Sequence, residues 1–249
     1  MKIFLLYSEV DTGVRWSELL GVGVLGAVIR QARHNLALVH FKHPVQIASI
    51  EQYAAKFDPD LVVGLIAWDQ WPHARAALQA IRRAVPKPMI VAAGVYPTLD
   101  PQTAIEEPAI DAVLVGEIET ALMELIQRRA MHQNCTDTLN FWFKSRETGI
   151  LKNGLRPLIG DLDIMPFSER TLFDHAALVQ SSGGAFPMLA SRGCPYNCQF
   201  CYMPRLKQIS SGKGPTVRMR GVKSIAAEVL QHAKKEPVER VDFVDEYFP

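Results

Sequence analysis

Short apolar runs alternate with helical segments along the first half of this 249-residue chain. The runs are rich in Val, Ile and Leu, which is typical of parallel strands with both sheet faces covered. The pattern predicts an α/β fold, a doubly wound (Rossmann-like) parallel sheet of about five strands within residues 1–130. The expected strands are Ile3–Tyr7, Leu36–Phe41, Leu61–Ile66, Met89–Ala92 and Ala112–Val115. The expected helices are Trp16–Arg33, Ile47–Phe57, His73–Ala84 and Glu119–Arg129.

The rest of the chain divides into residues 131–185 and residues 186–249. In the former, Leu139–Phe143 and Gly149–Lys152 flank a turn at Lys144–Thr148 and predict a hairpin, which we interpret as part of a linker. In the latter we expect, in order, a strand, a cysteine cluster, a basic loop, a helix and a second strand. These strands and this helix are predicted at Pro187–Ala190, Ser224–Lys234 and Arg240–Val244.

Composition argues against several classes of function. Twenty-seven basic and 26 acidic residues give a net charge of +1, so no overall field would draw the protein to nucleic acid or anionic lipid. The longest apolar stretches are far shorter than the roughly 20 residues of a membrane span, and the N-terminus lacks the features of a signal peptide. Four cysteines are few for a disulfide scaffold. We expect a cytoplasmic protein with neither a membrane span nor a nucleic-acid partner.

Three cysteines, Cys194, Cys198 and Cys201, fall within eight residues and have CxxxCxxC spacing. Such short spacings bring thiolates together without the entropy cost of closing a long loop. Three cysteines on a four-iron cluster leave one iron open to another ligand. Zinc is the alternative, but zinc motifs usually add a second CxxC or histidines, and His175 and His232 lack ligand spacing. The remaining cysteine stands alone in a polar stretch, and we expect it to be incidental.

The segment Ser191–Tyr202 resembles the signature of the radical-SAM superfamily, which has an aromatic residue before the third cysteine, here Phe200. The resemblance implies a [4Fe–4S] cluster whose open iron binds the amino and carboxylate groups of S-adenosylmethionine. Reductive cleavage then gives a 5′-deoxyadenosyl radical, with electrons from a flavodoxin- or ferredoxin-like donor. It also implies that residues 186–249 start a radical-SAM (β/α) barrel, with the cysteine loop at the face where barrel active sites lie.

The order of elements before the cysteines resembles the cobalamin-binding radical-SAM family over essentially the whole chain. The resemblance rests on Gly21–Ala27, on a GGxxPT-like loop at Ala93–Thr98 and on a GEGE-like loop at Gly116–Glu119. Ala93 and Ile118 depart from these motifs. Both loops follow strands at the edge where doubly wound folds bind ligands, although from the residues alone their glycines are equally consistent with ordinary turns. The implied cobalamin-binding residues are Gly94, Pro97, Thr98, Gly116 and Glu117.

Other features refine these expectations. The DxHxxG motif of domains that ligate cobalt through histidine is absent, so we expect no histidine ligand among His34, His40, His43 and His73. The acidic end of Asp242–Phe248 resembles a segment of the family in which Asp245 or Glu246 would meet the ammonium group of S-adenosylmethionine. Three aromatic side chains either pack against a corrin ring or belong to an interface or the core. They are Trp68, Trp71 and Tyr96.

The expected function is transfer of a methyl group to an unreactive carbon of a small-molecule substrate. Cyclisation or rearrangement within the same family is the second reading. A reading from another class is a cobalamin- or ligand-binding module, because only about 65 residues follow the linker whereas a barrel of six βα units needs on the order of 150–200. The chain is therefore expected to be a fragment of a longer enzyme.

Overall fold

A computed structural model shows two compact units in the chain. The first unit combines Met1–Gly13 with Ile29–Arg156, and the second combines Val14–Val28 with Pro157–Pro249. The residues that the structure describes are 1–145, 147–181, 183–234 and 238–248.

Five parallel strands form the centre of the first unit. They are β1 (Lys2–Ser8), β2 (Asn35–Phe41), β3 (Leu61–Leu65), β4 (Met89–Ala93) and β5 (Ala112–Leu114). Their order is β2-β1-β3-β4-β5, and Ile3 lies opposite Leu36 on one side and Leu61 on the other. Every residue of β3, and every residue of β1 after the first, is buried, as expected for strands covered on both faces. The predicted α/β fold class is confirmed.

The four predicted helices begin and end close to their predicted positions, and two short helices join them. They are α1 (Trp16–Gln31), α2 (Ile47–Phe57), α3 (Trp71–Ala84), α4 (Val95–Leu99), α5 (Pro101–Glu106) and α6 (Glu119–Ala130). Sequence periodicity does not predict α4 or α5, because each is too short to show a repeating apolar face. None of the described helices combines the length and the apolar character that crossing a bilayer requires.

The hairpin extends the sheet to seven strands. Strands β6 (Phe141–Ser145) and β7 (Gly149–Lys152) pair antiparallel, and β6 also pairs antiparallel with β5. The predicted hairpin is therefore present, but it belongs to the sheet of the first unit. Phe141 and Phe143 are buried and stack with ring centroids 5.3 Å apart. Burial of these two apolar rings stabilises the hairpin against the core of the first unit. Arg146 in the predicted turn, and the terminal Pro249, lie outside the described residues.

The second unit contains a strand–helix–strand arrangement. Its elements are α7 (His175–Ser181), β8 (Ala185–Met188), β9 (Ser191–Arg192), α8 (Met203–Ile209), β10 (Arg218–Met219), α9 (Val222–Ala233) and β11 (Arg240–Phe243). Strands β8 and β11 pair in parallel around the α9 connection, while β9 and β10 pair antiparallel. The segment predicted as a basic loop instead contains α8 and β10, which are too short to show a period in the sequence.

A buried carboxylate shared by two arginines ties α9 to strand β8. Arg170 donates to the Pro187 carbonyl at 2.7 Å and lies 3.4 Å from one oxygen of Glu228. Arg220 donates to the other Glu228 oxygen at 2.6 Å and to the Leu189 carbonyl at 2.9 Å. Buried charges are costly unless they are paired and hydrogen-bonded. This network therefore holds the backbone that leads into the cysteine loop.

Helix α1 packs within the second unit through one of its glycines. The Glu169 N–H donates to the Gly23 carbonyl at 3.0 Å. A Cβ on Gly23 would overlap the Ser168 side chain and lie 3.2 Å from the Glu169 nitrogen, whereas a Cβ on Gly21 would meet nothing within 4 Å. The contact thus requires glycine at position 23 and not at position 21.

These two glycines give opposite predictions for stability. Gly21→Ala should raise the free energy of unfolding by roughly 0.5–1 kcal/mol, because alanine is the better helix former and has room here. Gly23→Ala should lower it by about 1–3 kcal/mol, because the added methyl group overpacks the contact with Ser168. Denaturant titration of the whole chain measures both. Equal stabilisation by the two variants would contradict the packing described.

Candidate functional site

At the carboxyl edge of the parallel sheet, Gly94 allows a close approach between two strand ends. The Ile66 N–H donates to the Ala93 carbonyl at 2.8 Å, and the Tyr96 N–H donates to the Ile66 carbonyl at 3.1 Å. Gly94 has φ +107°, and a Cβ there would lie 2.8 Å from the Ile66 oxygen. Only glycine adopts this conformation without strain. The packing of the protein itself therefore requires glycine at position 94. The predicted contact of Gly94 with a cofactor stays a prediction.

Thr98 joins the two loops predicted to bind cobalamin. Its hydroxyl donates to the Gly94 carbonyl at 2.7 Å and accepts from the Gly116 N–H at 3.0 Å. Pro97 and Thr98 are both buried in α4, so their side chains pack within the first unit. The hydroxyl fixes the spacing between the strand ends that follow β4 and β5.

Asn140, which the sequence does not single out, supports the second loop. Its side chain donates to the Glu117 carbonyl at 3.3 Å and accepts from the Arg156 N–H at 2.7 Å. Glu117 itself is half-buried. Since Asn140 is far from Glu117 in sequence, no local motif reveals this contact.

The same edge carries features that fit a large ligand with polar groups. Ser8, the last residue of β1, is 1% exposed, and its hydroxyl has no hydrogen-bond partner among the residues the structure describes. A buried hydroxyl without a partner costs on the order of 1–3 kcal/mol, so a ligand that bonds to it would remove that cost. The Trp68 side chain is 54% exposed, and Trp71 stacks on Tyr96 with ring centroids 4.8 Å apart. A hydroxyl without a partner and an exposed indole, both following strands at this edge, suit the amides and apolar face of a corrin.

One histidine of the first unit is already engaged. His40 lies on β2, and its Nε2 is 2.8 Å from an oxygen of the buried Glu9. The Tyr7 hydroxyl donates to the other Glu9 oxygen at 3.3 Å. The expected absence of a histidine ligand to cobalt stays a prediction.

The cysteine loop lies between β9 and α8 in the second unit. Cys194 and Cys201 are half-buried, Cys198 is exposed, and all three are free thiols. The Cys201 N–H donates to the Cys198 carbonyl at 3.2 Å, and the Met203 N–H donates to the Cys201 sulfur at 3.5 Å. Cys135 lies in the first unit.

The three cysteines of the loop are at least partly exposed. Across the described part of the chain, no group of three or more His, Cys, Asp or Glu side chains is arranged to hold a metal ion. Metal ligation itself supplies the energy that draws such ligands together. The donor set, three free thiols in one short loop, fits an iron–sulfur cluster, and its spacing carries that prediction.

Asp245 anchors the backbone just before the cysteine loop. Its carboxylate accepts from the Ala190 N–H at 3.0 Å, from the Ser191 N–H at 2.5 Å and from the Ser191 hydroxyl at 2.5 Å. Gly193, directly before Cys194, has φ +91°, and a Cβ there would overlap the Thr216 carbonyl. These contacts fix the direction in which the chain enters the loop.

Glu246 differs from its neighbour Asp245. Its side chain is exposed, yet desolvation by the surrounding protein raises its pKa, and the charge of Asp245 adds to the effect. Of the two acidic residues predicted to meet an ammonium group, Asp245 already serves the strand ends. Glu246 is therefore the better candidate for a bound cation.

Tyr202, directly after the third cysteine, has a strongly perturbed phenol. Desolvation first, and then the carboxylates of Glu18 and Glu246, raise the pKa of Tyr202 to about 12. The shift keeps the hydroxyl group protonated, and able to donate a hydrogen bond, even in mildly alkaline solution. Two other aromatic rings of the loop are exposed, Phe200 at 94% and Tyr196 at 59%.

Comparison with protein families and curated proteins gives specific matches. The B12 binding domain family matches residues 17–126. An uncharacterized methyltransferase of Pyrococcus horikoshii is 25% identical over the whole chain, which covers 54% of that protein. The anaerobic magnesium-protoporphyrin IX monomethyl ester cyclase of Synechocystis is 28% identical over 67% of the chain and 32% of that protein. The chain thus spans about half the length of the first relative and about a third of the second.

Solved structures share the fold. The radical S-adenosylmethionine methyltransferase TsrM of Kitasatospora setae matches 99% of the chain and 48% of its own, with a TM-score of 0.73 and 17% identity. The cobalamin-dependent S-adenosylmethionine radical enzyme OxsB matches 100% of the chain and 34% of its own, with a TM-score of 0.73 and 18% identity. The resemblance to the cobalamin-binding radical-SAM family is confirmed to this extent: residues 17–126 match the B12 binding domain family, and the chain shares its fold with solved cobalamin-dependent radical SAM enzymes.

Proposed function

We propose that the chain is the cobalamin- and cluster-binding part of a cytoplasmic radical SAM enzyme that methylates an unreactive carbon of a small molecule. The observation that carries the proposal is a loop of three free cysteines in a chain that also contains a B12-binding domain. The names of the Pyrococcus relative and of TsrM support methyl transfer. The name of the Synechocystis cyclase favours a second candidate, ring formation by a related enzyme.

The proposed roles follow from the chemistry of each group. When bound, the cluster would pass an electron from a flavodoxin- or ferredoxin-like donor to S-adenosylmethionine, while cobalamin would carry the methyl group. The cysteines Cys194, Cys198 and Cys201 would hold the iron, and the exposed Phe200 ring would be covered when the site fills.

Glu246 would accept hydrogen bonds from the ammonium group of S-adenosylmethionine. At the sheet edge, the Ser8 hydroxyl would form a hydrogen bond to cobalamin. The two loops joined by Thr98 would form the cobalamin-binding site.

Cysteine replacement tests the cluster. After anaerobic reconstitution with iron and sulfide, the whole chain should hold about four iron and four sulfide ions. Cys198→Ala should lose the brown absorbance of the cluster, because one of three ligands is gone, whereas Cys135→Ala should keep it. Iron, sulfide and zinc are quantified on the purified chain. Stoichiometric zinc without sulfide would contradict the assignment of an iron–sulfur cluster.

Replacing Ser8 tests cobalamin binding with two opposite effects. Ser8→Ala should raise the free energy of unfolding of the ligand-free chain by about 1 kcal/mol, because it removes a buried hydroxyl that lacks a partner. The same change should weaken retention of hydroxocobalamin on a desalting column. His43→Ala and His73→Ala serve as controls and should leave the cobalt spectrum unchanged. Undiminished retention by Ser8→Ala would remove this residue from the site, and no retention by the unaltered chain would contradict cobalamin binding.

Replacing Glu246 tests recognition of S-adenosylmethionine. Glu246→Gln in the cluster-loaded chain should weaken binding roughly tenfold, because a hydrogen bond between two charged groups becomes one to a neutral amide. Asp242→Asn is the control, since Asp242 is paired with Arg240 at 2.9 Å on β11. Isothermal titration calorimetry measures both dissociation constants. If both variants bind as the unaltered chain does, Glu246 has no such role.

A further inference from the structure

Lys207 binds the segment of the cysteine loop between its first two cysteines. From its position on α8, its ammonium group donates to the Pro195 carbonyl at 3.0 Å, to the Tyr196 carbonyl at 2.6 Å and to the Asn197 side-chain oxygen at 2.5 Å. These three residues are the whole of the segment between Cys194 and Cys198. An ammonium group has three protons, and three acceptors converge on it.

The geometry suits lysine in particular. Its ammonium group is a compact charge with three rotatable donors, whereas the guanidinium group of arginine is a planar fork that favours two parallel acceptors. The loop presents two carbonyls and an amide oxygen around one point, which suits a compact ammonium group better than a planar fork. Arg205, two residues earlier on the same helix, instead bonds to Gln208 at 2.5 Å. The Arg205 side chain carries the same charge but bonds within α8.

We propose that Lys207 is a positioning residue for iron ligation, which holds the loop from Cys194 to Cys198 in its binding shape and sets the reduction potential of the cluster. The inference rests on the proposed function. Three thiolates give a bound [4Fe–4S] cluster a negative overall charge, which grows on reduction. A fixed positive charge in the ligand loop stabilises the reduced form and raises the potential.

Proteolysis of the metal-free chain tests the loop-holding role. The bond after Tyr196 is a chymotrypsin site, and Lys207 holds its carbonyl oxygen. Lys207→Met should increase cleavage there roughly tenfold relative to cleavage after the exposed Phe200, because a charge-assisted hydrogen bond to that carbonyl is lost. Arg205→Met should leave the ratio unchanged. Mass spectrometry gives the ratio, and circular dichroism shows whether each variant folds.

Redox titration of the reconstituted chain tests the electrostatic role. The midpoint potential should be lower in Lys207→Met than in the unaltered chain and in Arg205→Met. Lys207→Arg keeps the charge while disturbing the geometry, so its potential should stay close to that of the unaltered chain while cleavage after Tyr196 rises.

The two arms have separate outcomes. An unchanged cleavage ratio in both Lys207 variants would overturn the loop-holding role, and an unchanged potential in Lys207→Met would overturn the electrostatic one. An unaltered chain that takes up no iron would overturn the proposed function together with the electrostatic role. The cleavage ratio would still decide whether Lys207 holds the loop.

Discussion

Parallel strands lose their backbone partners where neighbouring strands turn away, and each buried group left unpaired there costs on the order of 1–3 kcal/mol. In the first unit the Thr98 side chain pairs two such backbone groups, since its hydroxyl bonds to the Gly94 carbonyl and to the Gly116 N–H. In the second unit Asp245 accepts from the N–H groups of Ala190 and Ser191. Each candidate cofactor loop adjoins one of these bonds, so a polar side chain that satisfies a strand end helps to fix its shape.

The fold was largely predictable because its central strands are apolar on both faces. A run such as Leu61–Leu65, buried throughout, has little alternative to a covered strand. Short elements escaped prediction for the converse reason: α4 and α8 are too brief to display a helical period. The hairpin was predicted as local structure, but its place beside β5 depends on pairing between distant segments. Local pattern specifies an element better than it specifies that element's neighbours.

In the candidate site, too, the sequence predicts some residues, and only the fold reveals the others. Spacing identifies the three cysteines, because thiolates that share a cluster must be close in a short loop. Spacing cannot distinguish Asp245 from Glu246, since only the fold shows that the first is bonded to Ser191. The contributions of Asn140 and Ser8 are equally hidden from the sequence. One depends on a contact with the distant Glu117, and the other on the absence of a partner among the described residues.

The two candidate sites differ in what holds them in shape. At the sheet edge, Thr98 is buried within the core of its unit, so the loops there share the stability of the whole sheet. The cysteine loop has exposed rings at Tyr196 and Phe200 and an exposed thiol at Cys198, so burial contributes little to its order. Its shape therefore depends on a few charge-assisted hydrogen bonds and on the ligation energy itself. A loop of this kind stays open to its ligand, and it is sensitive to the loss of any one contact.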